Sequence, residues 1–263
     1  MEIKVKDYEL GKNTISFTIR EEMITGITGN SKEEIENIIY LKNNYNGKIT
    51  INRKSNININ EYKNRIVIIK KNMLNKYFQG KVYESMYYEI KRKGLALKNP
   101  RKKILDSLKI VGLDYTYLNR DLITLSSSEK KLIELSISLL SNPELIIVEE
   151  PFIGLDMKKE KEIYSLYQKM KEKYHKTIVF ISDDTTMLYK YTDNMIISKN
   201  NKIIIEDTTS NTFQRVDFLK KNSIEIPEIV LITYLAKKKD IKIDYHKDIR
   251  DIIKDIYKHV KRR

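Results

Sequence analysis

The sequence predicts an α/β fold built on a mainly parallel sheet, and three features carry that expectation. Short runs rich in β-branched residues alternate with longer helical stretches, the pattern of strands joined by crossover helices. The interval from about residue 72 to 141 offers no convincing strand, so it reads as a helical insertion in the α/β body. After NKIIIED, which starts at Asn201, the remaining residues turn helical.

In chain order the expected strands are KITI from Lys48, RIVIIK from Arg65, ELIIVEE from Glu144, TIVFIS from Thr177, NMIIS from Asn194 and NKIIIED. Leu145 to Val148 form an unbroken apolar run, as in a strand buried on both faces, and Glu149 and Glu150 follow directly. Between the strands, SKEEIENIIYLKN, residues 83–93, PRKKILDSLKIVGL, SEKKLIELSISLL and KKEKEIYSLYQKMKEKY read as helices. Apolar residues recur at helical spacing from Asp248 to Val260.

At 263 residues and 41% apolar content the chain can fold as one large α/β domain or as a domain with an appendage. No apolar run approaches the roughly 18 residues of a membrane span. MEIKVKDYEL lacks the apolar stretch of a signal peptide, so a cytoplasmic location is expected. The absence of Cys excludes disulfides and thiolate metal sites, and 3 His leave little from which to build a metal centre. The net charge of +14 is spread along a Lys-rich chain. Its short clusters, KRKG at Lys91, NPRKK at Asn99 and HVKRR at His259, read as solvated faces, and no specific nucleic acid is expected.

The order of motifs says more than any one of them. LSSSEKKLIELSISLLSNP opens a helix that runs into IIVEEP, then GLD and, further on, TIVFISDD. In this order the chain resembles the signature helix, Walker B strand, D-loop and switch strand of ABC-type ATPases. YESMYYEIKRKGL and KILDSLKIVGLDYTYL resemble the helical subdomain of the energy-coupling-factor type, the ATPases of bacterial vitamin and metal-ion importers. NKIIIEDTTSNTF followed by DFLKKNSIEIPEIVLITYLAKK resembles that subfamily's ending. The resemblance implies a P-loop NTPase-like ABC core in residues 1–215, a helical subdomain at about 72–141, and a helical C-terminal extension in 216–263.

It also assigns roles, and several positions depart from the family pattern. A P-loop, G-x-x-x-x-G-K-[ST], wraps phosphates with backbone N–H groups, neutralises them with Lys and holds magnesium with its hydroxyl. Here the stretch is MITGITGNSKEEIENII, with Gly26 and Gly29 at the strand end and a loop about three residues short of the family's. Lys32 is followed by Glu33 and Glu34, and Ser31 with Glu34 spells a capping box, an ordinary helix start. Glu149 stands where the family's Walker B Asp holds magnesium, and Glu150 where its catalytic Glu polarises water. Asp156 matches the D-loop acid. The register from YFQGKVYESM puts Lys71 at the Q-loop Gln, and Asp183 replaces the switch His. Lys71 and Asp183 are expected to form an ion pair in the space left by the γ-phosphate. Ser126 and Glu129 match the signature, with Ser127 and Ser128 in place of its glycines; the signature acts on the partner's nucleotide from a helix N-terminus, and the same residues also read as a plain N-cap.

The expected function is that of a degenerate ABC subunit of an energy-coupling-factor-like importer, peripheral on the inner face of the membrane. ATP and Mg are the family's ligands, with this chain's own site impaired. Its expected partners are an intact second ATPase subunit in a heterodimer, a membrane coupling subunit and a substrate-binding membrane subunit. The alternatives are a non-catalytic structural or regulatory module and a nucleic-acid-associated ABC protein.

Overall fold

The computed structural model describes residues 1–41, 47–55, 59–62, 64–71, 73–74, 80–241 and 243–260. Residues 77–79 of YFQG and 261–263 of the terminal basic cluster lie outside the described residues. The chain begins with β1 (Ile3–Leu10), β2 (Asn13–Ile19), β3 (Ile24–Gly29), α1 (Lys32–Ile39), β4 (Lys48–Ile51), α2 (Ile59–Tyr62) and β5 (Ile66–Ile69). Then come α3 (Val82–Arg92), α4 (Pro100–Ile110), α5 (Ser127–Leu139), β6 (Leu145–Glu149), α6 (Met157–Tyr174), β7 (Thr177–Ile181) and α7 (Thr185–Tyr191). The remainder is β8 (Asn194–Lys199), β9 (Lys202–Thr208), α8 (Thr209–Gln214), α9 (Val216–Lys221), α10 (Glu228–Lys238) and α11 (Ile249–Val260).

The main sheet has the order β5-β6-β7-β3-β8-β9. Its first five strands are parallel, and β9 returns antiparallel along β8. Side chains on a strand alternate between faces, and here each face has its own core. Ile146, Val148, Ile178 and Phe180 join the cluster built by α3 to α7, while Leu145, Ile147, Val179 and Ile181 join the one that includes α1. All but Ile181 of these are fully buried, which is why the β6 sequence reads as an unbroken apolar run.

One part of the architecture departs from the sequence reading. KITI is not a strand of the parallel sheet: β4 pairs antiparallel with β1, which also pairs with β2. This separate sheet buries Ile3, Val5, Ile15, Phe17 and Ile19 and exposes Lys4 and Lys6. The charges on the outer face hide β1 from a search for continuous apolar runs, because an antiparallel sheet needs only one buried face. Among the described residues, no helix is long and apolar enough to cross a membrane.

Candidate nucleotide site

In an open α/β sheet, ligands bind beyond the carboxyl ends of the parallel strands. Here those ends carry Lys70 and Lys71 after β5, Glu149 and Glu150 at β6, Ser182 and Asp183 after β7, and Gly29 to Lys32 after β3. They are neighbours because the strand order makes them so.

The turn after β3 is short. β3 pairs with β8 as far as Gly29 opposite Ser198, and α1 starts at Lys32, so only Asn30 and Ser31 connect them. Gly29 has φ +107, and a Cβ there would stand 1.9 Å from the Ser198 carbonyl oxygen. Gly26 lies inside β3, where a Cβ would meet Met195, Thr192 and Leu188 side chains. Ser31 does not cap α1, contrary to the capping box expected with Glu34. Its backbone is not extended (ψ 25), and its hydroxyl turns to the β8–β9 turn instead. There it accepts from the Asn201 N–H (2.9 Å) and donates to Asn201 Oδ1 (3.0 Å). Asn30 makes a parallel pair of bonds to Asn200, accepting from its N–H at 2.8 Å and donating to Oδ1 at 3.0 Å. The Ser31 N–H donates to Ser198 Oγ (3.2 Å). The Ser31 N–H and the Asn30 and Ser31 side chains are thus engaged by the neighbouring hairpin. An open cleft of about 650 Å³ lies beside this turn, lined in part by Lys32, Glu33, Glu34, Asp183 and Lys199.

Lys32 forms an ion pair with Asp183. The expected Lys71–Asp183 pair is therefore replaced by another. The cause is strand order: β3, not β5, borders β7. Lys71 contributes its backbone N–H to Glu149 Oε2 (3.0 Å) and leaves its side chain exposed.

The two acids after β6 are held from different sides. Glu149 Oε1 accepts from Lys70 Nζ at 2.6 Å, and the same ammonium binds Glu36, which is buried on α1. Burial, with the Glu149 carboxyl beside it, pushes the Glu36 carboxyl above its ordinary range. Burial opposes charge on Glu149 as well, but hydrogen bonds with Glu36, Lys70 and the Lys71 N–H hold it below that range. Lys70 is likewise desolvated, yet its two carboxyl partners keep its ammonium above the usual Lys value. Glu150 has φ +45; its Oε2 accepts from the Ser182 hydroxyl (2.7 Å) and its Oε1 from the Asp183 N–H (3.3 Å). Asp156 caps α6, accepting from the N–H groups of Lys158 and Lys159, both at 2.9 Å.

The N-terminus of α5 is built differently. Ser126 and Glu129 form a reciprocal capping box: the Glu129 N–H donates to Ser126 Oγ (3.3 Å) and the Ser126 N–H to Glu129 Oε2 (2.8 Å). Tyr117 and Arg120 bind the other Glu129 oxygen. Led by the Tyr117 hydroxyl, these bonds hold the Glu129 carboxyl down at about 2. Ser126 and Ser127 are exposed, and Ser128 is partly so. Further along α5, Glu134 accepts from the Leu74 N–H (3.3 Å) and Lys131 Nζ reaches the Glu150 carbonyl (3.3 Å). One helix therefore touches both the segment after β5 and the loop after β6.

A family profile described as ABC transporter matches residues 12–153, more than half of the chain. The chain belongs to the ABC transporter family. It is 24% identical over 255 residues to the Energy-coupling factor transporter ATP-binding protein EcfA3 of Oenococcus oeni, covering 93% of this chain and 88% of that one. It is 26% identical over 167 residues to the EcfA2 protein of Mycoplasma mobile, covering 64% of this chain and 54% of that one. The chain thus spans about half of that relative's length, and still less of two other ABC transporter ATP-binding proteins it matches, 40% and 36%. Among solved structures, cbiO1 from Clostridium perfringens, part of the ABC transporter complex cbiONQ, superposes with a TM-score of 0.72 at 21% identity. It covers 88% of this chain and 98% of that one.

ABC transporter proteins generally bind ATP with Mg, so the donors present here can be compared with what those ligands need. A magnesium ion wants free carboxylate or hydroxyl oxygens in near-octahedral array. Glu149 has both oxygens engaged, and Glu33 follows Lys32 where the family has a hydroxyl. Among the described residues, no group of three or more His, Cys, Asp or Glu could hold a metal. On the triphosphate side, the Ser31 N–H and the Lys32 ammonium have protein partners.

Four residues central to this arrangement escaped the sequence reading: Glu36, Lys70, Ser182 and Asn201. Glu36 carried a signal, an acid between Ile35 and Ile38 on a helix whose Ile residues face the core. Lys70 adjoined the residue singled out, but sequence alone does not say which of two successive lysines turns inward.

Proposed function

We propose that this chain is the non-hydrolysing subunit of an energy-coupling-factor-type ABC importer. It pairs with an intact ATPase subunit and lends that subunit the Ser126 end of α5. The observation that carries this reading is the closed turn after β3, where Asn30 and Ser31 bond to Asn200 and Asn201 and Lys32 to Asp183. The exposed Ser126 and Ser127 at an ordered helix start support the second half, because a helix N-terminus favours an anion. ATP and Mg then belong to the site formed by the partner's P-loop. The names of the Oenococcus oeni and Mycoplasma mobile relatives support the energy-coupling-factor transporter class.

In this assignment residues 1–215 form the ATPase-like domain, with the helical subdomain at about 72–141, and 216–263 form the C-terminal extension. A membrane coupling subunit docks near the segment after β5, beside a substrate-binding membrane subunit, and the assembly sits on the cytoplasmic face. The test is nucleotide binding and ATPase turnover, first on the isolated chain and then with its candidate partner. The expected result is no turnover alone, and turnover in the mixture that falls when Ser126→Ala is introduced here. Turnover by the isolated chain at rates normal for the family would refute the reading. Binding of neither nucleotide nor partner would favour a purely structural module.

A further inference from the structure

The cluster behind the β6 acid contains a cation that has no role in the proposed function. Lys70 Nζ lies against Glu149 Oε1 at 2.6 Å and also binds Glu36. Glu149 stands at the position where the family holds its metal, at the C-terminal end of β6. The three side chains come from three separate elements, the segment after β5, the end of β6 and the middle of α1. Their convergence is thus a product of the whole sheet rather than of local sequence. The Lys71 N–H completes the set by engaging the second Glu149 oxygen.

We infer that Lys70 is the resident cation of this site: its ammonium occupies the electrostatic place of the divalent metal between Glu36 and Glu149, so the fold completes this end of the sheet without metal. Two carboxyls converging at the end of a buried strand are less costly to bury with a cation between them. An ammonium tethered at the end of β5 supplies that charge within the chain, at a high effective concentration. The lysine also bars the metal, since a divalent ion would have to displace a hydrogen-bonded charge already satisfied by both acids. Removing the lysine should therefore create a cation site from residues that otherwise hold none.

The inference rests on Glu149 being the counterpart of the family's metal-binding acid. The two are tested apart, however, because its probe is Mn2+ alone, with neither nucleotide nor partner. Free Mn2+ is titrated by electron paramagnetic resonance against the purified full chain, Lys70→Ala, and Lys70→Ala/Glu149→Gln, with the fold followed by circular dichroism. The wild type should show no site at millimolar Mn2+. Lys70→Ala should gain one site at least tenfold tighter, and the added Glu149→Gln should abolish it. If Lys70→Ala does not fold in buffer, restoration of its fold by Mn2+ supports the inference and failure of Mn2+ to restore it counts against. A wild-type Mn2+ site that Glu149→Gln removes would overturn it, as would a folded Lys70→Ala that binds no better than wild type. Turnover by the isolated chain would defeat the proposed function without bearing on these titrations.

Discussion

Substituting Gly29→Ala asks whether β3 really continues where a phosphate loop would begin. A Cβ at this position would lie 1.9 Å from the Ser198 carbonyl oxygen and 2.8 Å and 2.9 Å from its carbon and nitrogen. Contacts below 3.0 Å are essentially never seen, and these are to backbone, so β3 and β8 must part by about 1 Å at the end of their ladder. The φ of +107 adds strain of about 1–3 kcal/mol for any residue with a Cβ. Each ladder hydrogen bond weakened adds about 1 kcal/mol. The expected loss is about 3 kcal/mol, or a fall in Tm of roughly 6–12 °C for a chain of this size. Gly94→Ala is the control: its φ is +62 and nothing lies within 4 Å, so only the left-handed strain of about 1 kcal/mol remains. Urea melts of the two variants should differ by about 2 kcal/mol. Equal losses would refute the closed ladder and put Gly29 in an open loop.

Two further perturbations probe the elements that hold the site. Phe152, in the loop after β6, meets Tyr167, Phe180 and Tyr191 edge-on at 6.2, 5.7 and 5.0 Å and is nearly buried. Phe152→Ala should cost about 3–5 kcal/mol in urea melts, and a loss under about 1 kcal/mol would remove this ring as the loop's anchor. Glu129 is held at about 2, against an ordinary 4.5, by Tyr117 first and then Ser126 and Arg120. Its stabilisation is therefore fully present above pH 4.5 and disappears as pH falls toward 2. The stability difference between wild type and Glu129→Gln should be about 1 kcal/mol at neutral pH, after solvent screening, and close to zero at pH 2. A difference that is independent of pH would mean the charge does not matter.

What was legible in the sequence follows a physical pattern. The β5, β6, β7 and β8 strands were legible because strands buried on both faces must be apolar throughout, and Leu145 to Val148 could hardly be read otherwise. β1 was not, because Lys4 and Lys6 alternate with its buried residues. Ser126 could be read as a cap because its partner Glu129 lies three residues away, within reach of one helical turn. Ser31 had the same local spacing to Glu34 and did otherwise, because Asn201 approaches it from 170 residues further along. The pairing of Asp183 with Lys32 rather than Lys71 follows from strand order, which no single motif encodes. Sequence spacing thus named candidate positions at the strand ends, whereas long-range topology chose their partners.

That distinction bears on whether the site could be reopened by a single change. In the proposed reading Asp183 is the block, since it pairs with Lys32. Asp183→Asn removes the charge and frees the Lys32 ammonium. An ammonium alone is a weak phosphate site, because wrapping by backbone N–H groups supplies the geometry. Here the Ser31 N–H still donates to Ser198, β3 still runs through Gly29, and Glu33 and Glu34 still occupy the field of the first turn of α1. We therefore expect fluorescent ATP-analogue affinity to change less than threefold in Asp183→Asn, about 0.6 kcal/mol. A gain of tenfold or more would show that the ion pair alone closes the site. The turn after β3 would then be a phosphate loop held shut, rather than a strand and helix joined directly.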